Sequence, residues 1–239
     1  MCPKSTDEIA KMEKVPFREL VGGLQFVSQC TRPDIAFAVN AISSFCSNPV
    51  EIHWIADKRV LRYLKGTKQN KLVNSNRAGT EQFLGYFDAD WGNDSETRRS
   101  ITGYVFMHAD GTVAWCSKRQ PTVVLSTTEA EYMALAAVGQ EALWWRAFRA
   151  ELSGAETTLP ICCDNRGAIY LSEKEICYSA RTKHIDLRHH FIKEQVEKKS
   201  VKLCYVPSNQ QLADILTKPV PFSKLQDARR SLGILENQS

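Results

Sequence analysis

The 239-residue chain is 43% hydrophobic, which is enough for a substantial core in one large domain or two small ones. It contains no run of eighteen apolar residues, and its N-terminus lacks the apolar core of a signal peptide, so we expect no membrane span, no membrane partner and a cytoplasmic or nuclear location. The net charge of +4 is uneven, because residues 1–80 carry 12 Lys and Arg against 7 Asp and Glu.

Residues 1–75 are predicted to form a small helical segment, with helical character extending over the first eighty residues. Apolar residues recur at helical spacing over 17–30 and again over 32–46, where Pro33 suits a first turn. Residues 48–67 give the clearest pattern, with Asn48 as N-cap, Pro49 at the first position, Glu51 closing a capping box and Gly66 as the stop. These patterns indicate packed helices.

A basic cluster lies on the last of these helices. It consists of Lys58, Arg59, Arg62 and Lys65, and Lys68 and Lys71 follow it. Such an arrangement suits contact with a phosphate backbone. The alternative is an ordinary solvated helix face, which this stretch alone slightly favours.

Residues 80–235 are predicted to form an α/β domain. Three short segments rich in β-branched and aromatic residues, 81–91, 101–109 and 112–117, indicate antiparallel strands, with Asp110-Gly111 as a tight hairpin turn. We then expect a long helix from Thr127 to Leu152, a strand over 159–164, a short helix from Asn165, a helix over 186–199, a strand over 201–206 and a helix around 211–218. This order predicts a mixed sheet flanked by helices.

Cysteine usage points to a reducing environment. The eight cysteines include no C-x-x-C pair, and Cys162 and Cys163 are adjacent in the apolar strand. Buried reduced thiols are therefore favoured over disulfides or a zinc site.

Several acids lie where strands and helices end. Asp88 and Asp90 share one face of the first strand of the sheet, and Asp164 ends the strand before a helix, which is a frequent site position in such sheets. Asp214 lies among apolar residues on a helix that should be buried, so its carboxylate needs a hydrogen-bonded partner or a metal. For each acid alone, a cap or a solvated position is the simpler explanation, and the combination shifts the balance.

The stretch "LSTTEAEYMAL", residues 125–135, contains two glutamates with different expected roles. Ser126 and Glu129 match a capping box, in which the serine accepts an N–H and the glutamate reaches back to the cap. Glu131 has no such task, yet it lies in the first two turns, where the helix dipole favours an anion. Glu131 is thus the glutamate available for chemistry.

Long motifs along the chain resemble the ribonuclease H domain at the end of copia-type retrotransposon polyproteins. They are "GYFDADWGND", "RRSITGYVFM", "WCSKRQPTVVLSTTEAEYMAL", "CDNRGAI", "RTKHIDLRHHFIKEQV" and "YVPSNQQLADILTKP". Near the N-terminus, "LVGGLQFVSQCTRPDIAFAV" and "HWIADKRVLRYLKGT" resemble the segment that joins the reverse transcriptase of that family to its ribonuclease. The resemblance covers nearly the whole chain. The reverse transcriptase palm is not in it, so we expect no polymerase activity.

The resemblance implies a ribonuclease H-like fold and a set of site residues. Its four catalytic and metal-binding acids match Asp88, Glu131, Asp164 and Asp214, and the set implies two Mg²⁺ ions, with Mn²⁺ as a substitute. The implied reaction is hydrolysis of the RNA strand of an RNA–DNA hybrid, leaving 5′-phosphates, with little sequence specificity. The implied partners are the hybrid and the remainder of a reverse transcriptase. The expected nucleic-acid contacts are the basic cluster together with Lys118, Arg119 and Asn165.

The sequence departs from the ribonuclease H pattern at one point and leaves two other functions to consider. Cellular ribonucleases H carry a histidine in a loop before the last acid, and "YVPSNQQLAD" has none, so His184 is the candidate auxiliary group, with a plain structural or surface role as its alternative. A catalytically silent relic or domesticated fragment that binds nucleic acid or protein is the alternative function. A transposase or integrase is disfavoured, because its glutamate comes last in the acid order and here it comes second.

Overall fold

The computed structural model describes residues 6–75, 82–92, 94, 97–154, 156–173 and 183–236. Within these ranges, no helix combines the length and the apolar character needed to cross a bilayer.

The first part of the chain is helical, as predicted. Its helices are α1 (Thr6–Glu13), α2 (Phe17–Cys30), α3 (Ala36–Ser43) and α4 (Glu51–Gly66), and a short 3-10 turn, Pro33–Ile35, precedes α3. Their apolar faces meet in a buried cluster formed by Met12, Phe17, Val21, Leu24, Ile35, Val39, Ile42 and Val60. The spacing of these apolar residues is what the sequence pattern detected.

The predicted start of α4 is wrong by two residues. Val50, not Asn48, is the N-cap, so Pro49 lies before the helix. Glu51 does not close a capping box; instead, Nδ1 of His53 accepts the N–H of Val50 at 3.1 Å. The buried His53 ring stacks on Phe45 at 3.9 Å between centroids, which holds the ring in place to accept this bond. The end of the helix at Gly66 is as predicted.

A two-stranded sheet joins distant parts of the chain and was not predicted. Strand β1 (Asn70–Leu72) pairs antiparallel with β7 (Ile234–Glu236), so the prediction of helical structure up to residue 80 is wrong. Helix α8 (Phe222–Ser231), which leads into β7, was also missed. Three-residue strands that find their partner across the whole chain leave no local periodicity to detect.

The central sheet of the described residues has five strands in the order β4-β3-β2-β5-β6. The strands are β2 (Leu84–Asp90), β3 (Ile101–His108), β4 (Gly111–Arg119), β5 (Leu159–Cys163) and β6 (Val201–Tyr205). Strands β2, β3 and β4 pair antiparallel, whereas β5 and β6 run parallel to β2. The predicted mixed α/β architecture, three antiparallel strands and then parallel ones, is confirmed.

Helices cover this sheet. Helix α5 (Thr127–Ser153) is the predicted long helix, and it packs on the sheet with α6 (Arg166–Glu173) and α7 (Lys183–Glu197). The core between them is apolar and includes Phe87, Phe106, Leu135 and Ile161, each fully buried. Cys162 and Cys163 are buried free thiols in β5, as predicted.

The turn between β3 and β4 differs from the prediction by one residue. Ala109 and Asp110 have positive φ angles of 52° and 60°, so they are the central residues of the turn, and Gly111 already belongs to β4. Glycine is needed there for another reason. A Cβ at position 111 would lie 2.4 Å from the carbonyl oxygen of Val73, which runs beside the turn.

The helical segment and the sheet are in contact. The indole N–H of Trp115 on β4 donates to the carbonyl of Ser28 at 2.7 Å, and Ala36 of α3 joins a buried cluster with Val105 and Leu216. The division into a segment at 1–75 and a domain at 80–235 stays a prediction.

A buried ion pair holds the helical segment together. Both Arg32 nitrogens that face Asp34 lie 2.8 Å from its carboxylate oxygens, and the hydroxyl of Tyr63 donates to the same carboxylate at 2.6 Å. Arg229 of α8 donates to the hydroxyl of Tyr63 at 3.3 Å. The network therefore connects α4 with the last helix of the chain.

Removing one partner of this pair should cost far more than a surface substitution. We expect Asp34→Ala to lower the free energy of unfolding by about 3–5 kcal/mol, because Arg32 would stay buried without a counter-charge. Urea unfolding followed by circular dichroism measures it, with the exposed Asp227→Ala as the control. A loss below about 1 kcal/mol would show that the pair contributes little.

Candidate active site

Asp88 lies in the middle of the sheet, on β2. It is only 3% exposed, and burial raises the pKa of its carboxyl group. Its Oδ2 accepts hydrogen bonds from the hydroxyl of Thr217 and from Nζ of Lys218, the latter at 3.2 Å. Its neighbour across the strand pair is Gly103. A Cβ on Gly103 would lie 2.6 Å from the Thr217 methyl carbon, so glycine there lets the segment after Asp214 approach Asp88.

Asp214 reaches the same place from a short 3-10 helix, Leu212–Leu216, rather than from the predicted regular helix around 211–218. The prolines at 219 and 221 prevent a longer helix, because the residue before a proline is disfavoured in helical conformation. Gln211 ties this segment to β2, since its side-chain NH₂ donates to the carbonyl of Phe87 at 3.0 Å and its Oε1 accepts the N–H of Ala213.

Two lysines form ion pairs with the buried Asp214, which the sequence analysis expected to need a partner. The carboxylate is 2% exposed. Its Oδ1 lies 2.8 Å from Nζ of Lys218, and its Oδ2 contacts Nζ of Lys224. Burial alone would lower the pKa of Lys218, but Asp88 and Asp214 together raise it, so the ammonium stays charged.

The two glutamates of α5 take different positions. The Glu129 N–H donates to Oγ of Ser126 at 3.2 Å, so the predicted N-cap is present. The Glu129 carboxylate accepts the N–H of Leu125 at 2.8 Å, one residue before the cap and not at the cap itself as predicted. Glu131, in contrast, is 8% exposed, and its Oε2 has no hydrogen-bond partner in the structure.

Asp164 follows β5 directly, at the start of α6. Next to it, the side-chain oxygen of Asn165 accepts the N–H groups of Gly167 and Ala168 at 2.8 and 3.1 Å. Asn165, predicted as a nucleic-acid contact, therefore serves as the cap of α6 through its oxygen. This cap fixes the chain direction at Asp164.

The electrostatics of Glu131 indicate that three other acids lie within interaction range of its carboxyl group. Its pKa is raised from 4.5 to about 9, first by burial, then by Asp88 and Asp164, with a smaller contribution from Asp214. Carboxylates repel in this way only within a short range. The four acids therefore come from four different elements: β2, α5, the β5–α6 junction and the 3-10 helix.

The donor set suits a hard divalent cation. Every candidate ligand is a carboxylate oxygen, the ligand type that Mg²⁺ prefers. The buried Oε2 of Glu131 lacks a hydrogen-bond donor, which such an ion would compensate. Among the described residues, however, no group of three Asp, Glu, His or Cys side chains is placed to hold a metal ion. Lys218 lies between Asp88 and Asp214, where it neutralises both.

The residues predicted to contact nucleic acid differ in exposure and in pairing. Lys118 is exposed, and Arg119 forms an ion pair with Asp94 at 2.9 Å. The basic cluster of α4 is exposed at all four positions, and Nζ of Lys58 lies 5.5 Å from the Trp54 ring centroid. His184 falls in α7, but its side chain lies outside the described part of the structure.

The sequence analysis did not identify the polar groups around the acids. Thr217, Lys218 and Lys224 contact the Asp88 or Asp214 carboxylate, and Gln211 holds the 3-10 helix against β2. One signal was available: Lys218 follows Asp214 by four residues in "ADILTK", the spacing of an ion pair along one helix face.

Comparison with known proteins identifies the family. No protein-family model matches the chain. The retrovirus-related Pol polyprotein from transposon TNT 1-94 of Nicotiana tabacum is 43% identical over 238 residues, which is 99% of this chain and 18% of that protein. The Pol polyprotein from transposon RE2 of Arabidopsis thaliana is 39% identical over 222 residues, 92% of this chain and 15% of that protein. The chain belongs to the copia-type retrotransposon Pol polyprotein family.

The family resemblance inferred from the motifs is thereby confirmed. The chain spans less than a fifth of the length of these Pol polyproteins. A shorter relative, the secreted RxLR effector protein 161 of Plasmopara viticola, is 50% identical over 133 residues, 56% of this chain and 93% of that protein. Among solved structures, LC11-RNase H1 from compost superimposes with a TM-score of 0.43 at 15% identity and covers 62% of this chain and 98% of its own.

Proposed function

We propose that this Pol polyprotein segment hydrolyses the RNA strand of RNA–DNA hybrids during retrotransposon reverse transcription. The observation that supports the proposal is the buried pair of Asp88 and Asp214, bridged by Lys218 at 3.2 and 2.8 Å, together with the raised pKa of Glu131, to which the charges of Asp88, Asp164 and Asp214 contribute after burial. The order of these acids along the chain, Asp88, Glu131, Asp164 and Asp214, matches the ribonuclease H pattern, and membership of the Pol family supports the same reading.

Divalent metal ions fit the proposed chemistry. Asp88, Glu131, Asp164 and Asp214 would hold Mg²⁺, with Mn²⁺ as a substitute, and two ions would activate a water molecule and stabilise the leaving 3′ oxygen. The chain itself supplies a fixed set of oxygen ligands. The Thr217 hydroxyl donates to the Asp88 carboxylate, and Gln211 ties the 3-10 helix that carries Asp214 to β2, so both acids are held in place before substrate arrives.

Substrate choice should depend on the sugar and the groove shape rather than on base sequence. The 2′-hydroxyl and the groove geometry distinguish RNA from DNA. We propose that Lys118, Arg119 and Asn165 contact the backbone beside the acids, and that the basic cluster of α4 contacts it farther away. The helical segment of residues 1–75 would then connect the ribonuclease to the remainder of a reverse transcriptase.

A cleavage assay tests the function. A hybrid with a labelled RNA strand should be cut in Mg²⁺ and left intact in EDTA, while duplex DNA of the same sequence should not be cut under either condition. Binding of the hybrid without cleavage by a folded protein would favour the alternative, a silent binding fragment. Equal cleavage of hybrid and duplex DNA would contradict the proposed specificity.

The basic cluster makes a separate prediction about salt dependence. Replacing Lys58, Arg59, Arg62 and Lys65 with glutamine should flatten the plot of log binding constant against log salt by up to about three units of slope, because fewer counterions are released. Sequence preference should not change. Fluorescence anisotropy with a labelled hybrid at several salt concentrations measures the slope.

A matched control exists at the far end of the sheet. Lys193 lies on α7, Lys198 and Lys199 follow that helix, and Lys202 lies near the start of β6. Strand β6 runs parallel to β5, which ends just before Asp164. Their replacement with glutamine should leave the slope nearly unchanged. If both quadruple variants show the slope of the wild type, the α4 cluster is ordinary solvated surface.

A further inference from the structure

One lysine bridges the two most buried acids of the candidate site. Nζ of Lys218 lies 3.2 Å from Oδ2 of Asp88 and 2.8 Å from Oδ1 of Asp214. Lys224 also contacts Asp214, through Oδ2, but its contacts do not include Asp88. Lys218 therefore performs the task that a shared cation would perform between these carboxylates.

The ammonium of Lys218 and a metal ion compete for these oxygens. A divalent cation such as Mg²⁺ binds carboxylate oxygens at about 2.0–2.1 Å and requires a surrounding shell of oxygen ligands. An ammonium within 3.2 Å of the same two oxygens occupies that shell with positive charge. Binding of either cation at Asp88 and Asp214 must therefore weaken binding of the other.

The ammonium of Lys218 can move from the carboxylates into solvent. Its side chain is 38% exposed, whereas the carboxylates it joins are almost completely buried. A lysine has a flexible four-carbon stem, so its ammonium can turn toward solvent while the backbone stays in place. The backbone itself is fixed, because the Lys218 N–H donates to the carbonyl of Asp214 at 3.1 Å.

We propose that Lys218 is an internal counter-ion of the metal-free site, and that a divalent cation must displace its ammonium from Asp88 and Asp214. This inference rests on the proposed function, which makes these acids metal ligands. Lys218 is then a positioning residue: it stabilises the two acids when metal is absent and lowers the apparent affinity of the site for metal.

Isothermal titration of the full chain with Mg²⁺ at pH 8 tests the displacement. Lys218→Gln should bind Mg²⁺ about tenfold more tightly than the wild type, because no ammonium has to leave. Lys218→Arg keeps the positive charge and should keep weak binding. The control is Lys198→Gln, which removes only an exposed pair with Glu194 and should match the wild type.

Thermal unfolding supplies a second readout that does not depend on catalysis. In EDTA, Lys218→Gln should melt several degrees below the wild type, since the buried Asp88 loses its contact with Lys218 and Asp214 keeps only Lys224. Added Mg²⁺ should raise its melting temperature more than that of the wild type. If Lys218→Gln is unfolded without metal and folds when Mg²⁺ is added, that result also supports the proposal.

Two kinds of failure are distinguishable. If Asp88→Asn binds Mg²⁺ as the wild type does, the acids are not the metal ligands, and the proposed function fails together with this inference. If wild-type binding depends on Asp88 but Lys218→Gln binds Mg²⁺ no more tightly than the wild type, only the role of Lys218 is refuted.

Discussion

Asp88→Asn should lower the rate of hybrid cleavage at least about a thousandfold while the protein stays folded. Asparagine keeps the shape of the side chain but removes a ligand charge from the centre of the site, where Asp88 is almost completely buried. Asp164→Asn should have a similar effect, although Asp164 is less buried. Single-turnover cleavage of a labelled hybrid in Mg²⁺ measures both variants.

The control for these variants is another aspartate-to-asparagine change. Asp227 is exposed on α8 and pairs only loosely with Arg230, at 3.4 Å, so Asp227→Asn should cleave at the wild-type rate. Circular dichroism and melting temperature establish that each variant is folded. Undiminished cleavage by folded Asp88→Asn or Asp164→Asn would refute the assignment of that acid.

The second large effect separates the two glutamates of α5. Glu131→Gln should abolish cleavage, because it removes a charge that interacts with Asp88, Asp164 and Asp214 and that the proposed metal site needs. Glu129→Gln should keep most of the activity, because a glutamine oxygen can still accept the N–H of Leu125. The same cleavage assay compares the two, and the reverse ranking would show that the wrong glutamate was chosen.

Glu131→Gln should also change how stability depends on pH. The pKa of Glu131 in the metal-free protein is about 9, against 4.5 for an ordinary glutamate, so between these values the folded state holds a proton that the unfolded chain has released. The free energy of unfolding therefore falls as pH rises through this window. Glutamine does not titrate, and in EDTA at pH 8 the variant should be more stable by a difference on the order of 5 kcal/mol. Urea unfolding in EDTA from pH 5 to 9 measures it, and a variant with an unchanged pH slope would contradict the burial of a protonated Glu131.

Much of the sheet and of α5 could be predicted because the signals are local. Strands β2 and β3 are dense in aromatic and β-branched residues, and the Ser126 cap marks the start of α5 within one residue. Asp88 and Asp164 were singled out for the same reason, since each lies at a recognisable strand position.

Other features depend on contacts between distant residues. The pairing of β1 with β7 joins residues 70–72 to 234–236, and no window of sequence contains both. The start of α4 at Val50 depends on a histidine ring held by Phe45, which overrides the propensity of Asn48 as a cap. Lys218 was overlooked because its contact with Asp88 spans 130 residues, although its spacing from Asp214 was visible.

We propose that a site built on Asp88, Glu131, Asp164 and Asp214 cuts only the RNA strand of a hybrid. The most direct measurement labels both strands of one hybrid and follows them in the same reaction with Mg²⁺, with product ends analysed. We expect RNA fragments with 5′-phosphates, an intact DNA strand, and no products from Asp164→Asn. Cleavage of the DNA strand, or RNA products that persist in folded Asp164→Asn, would contradict the account.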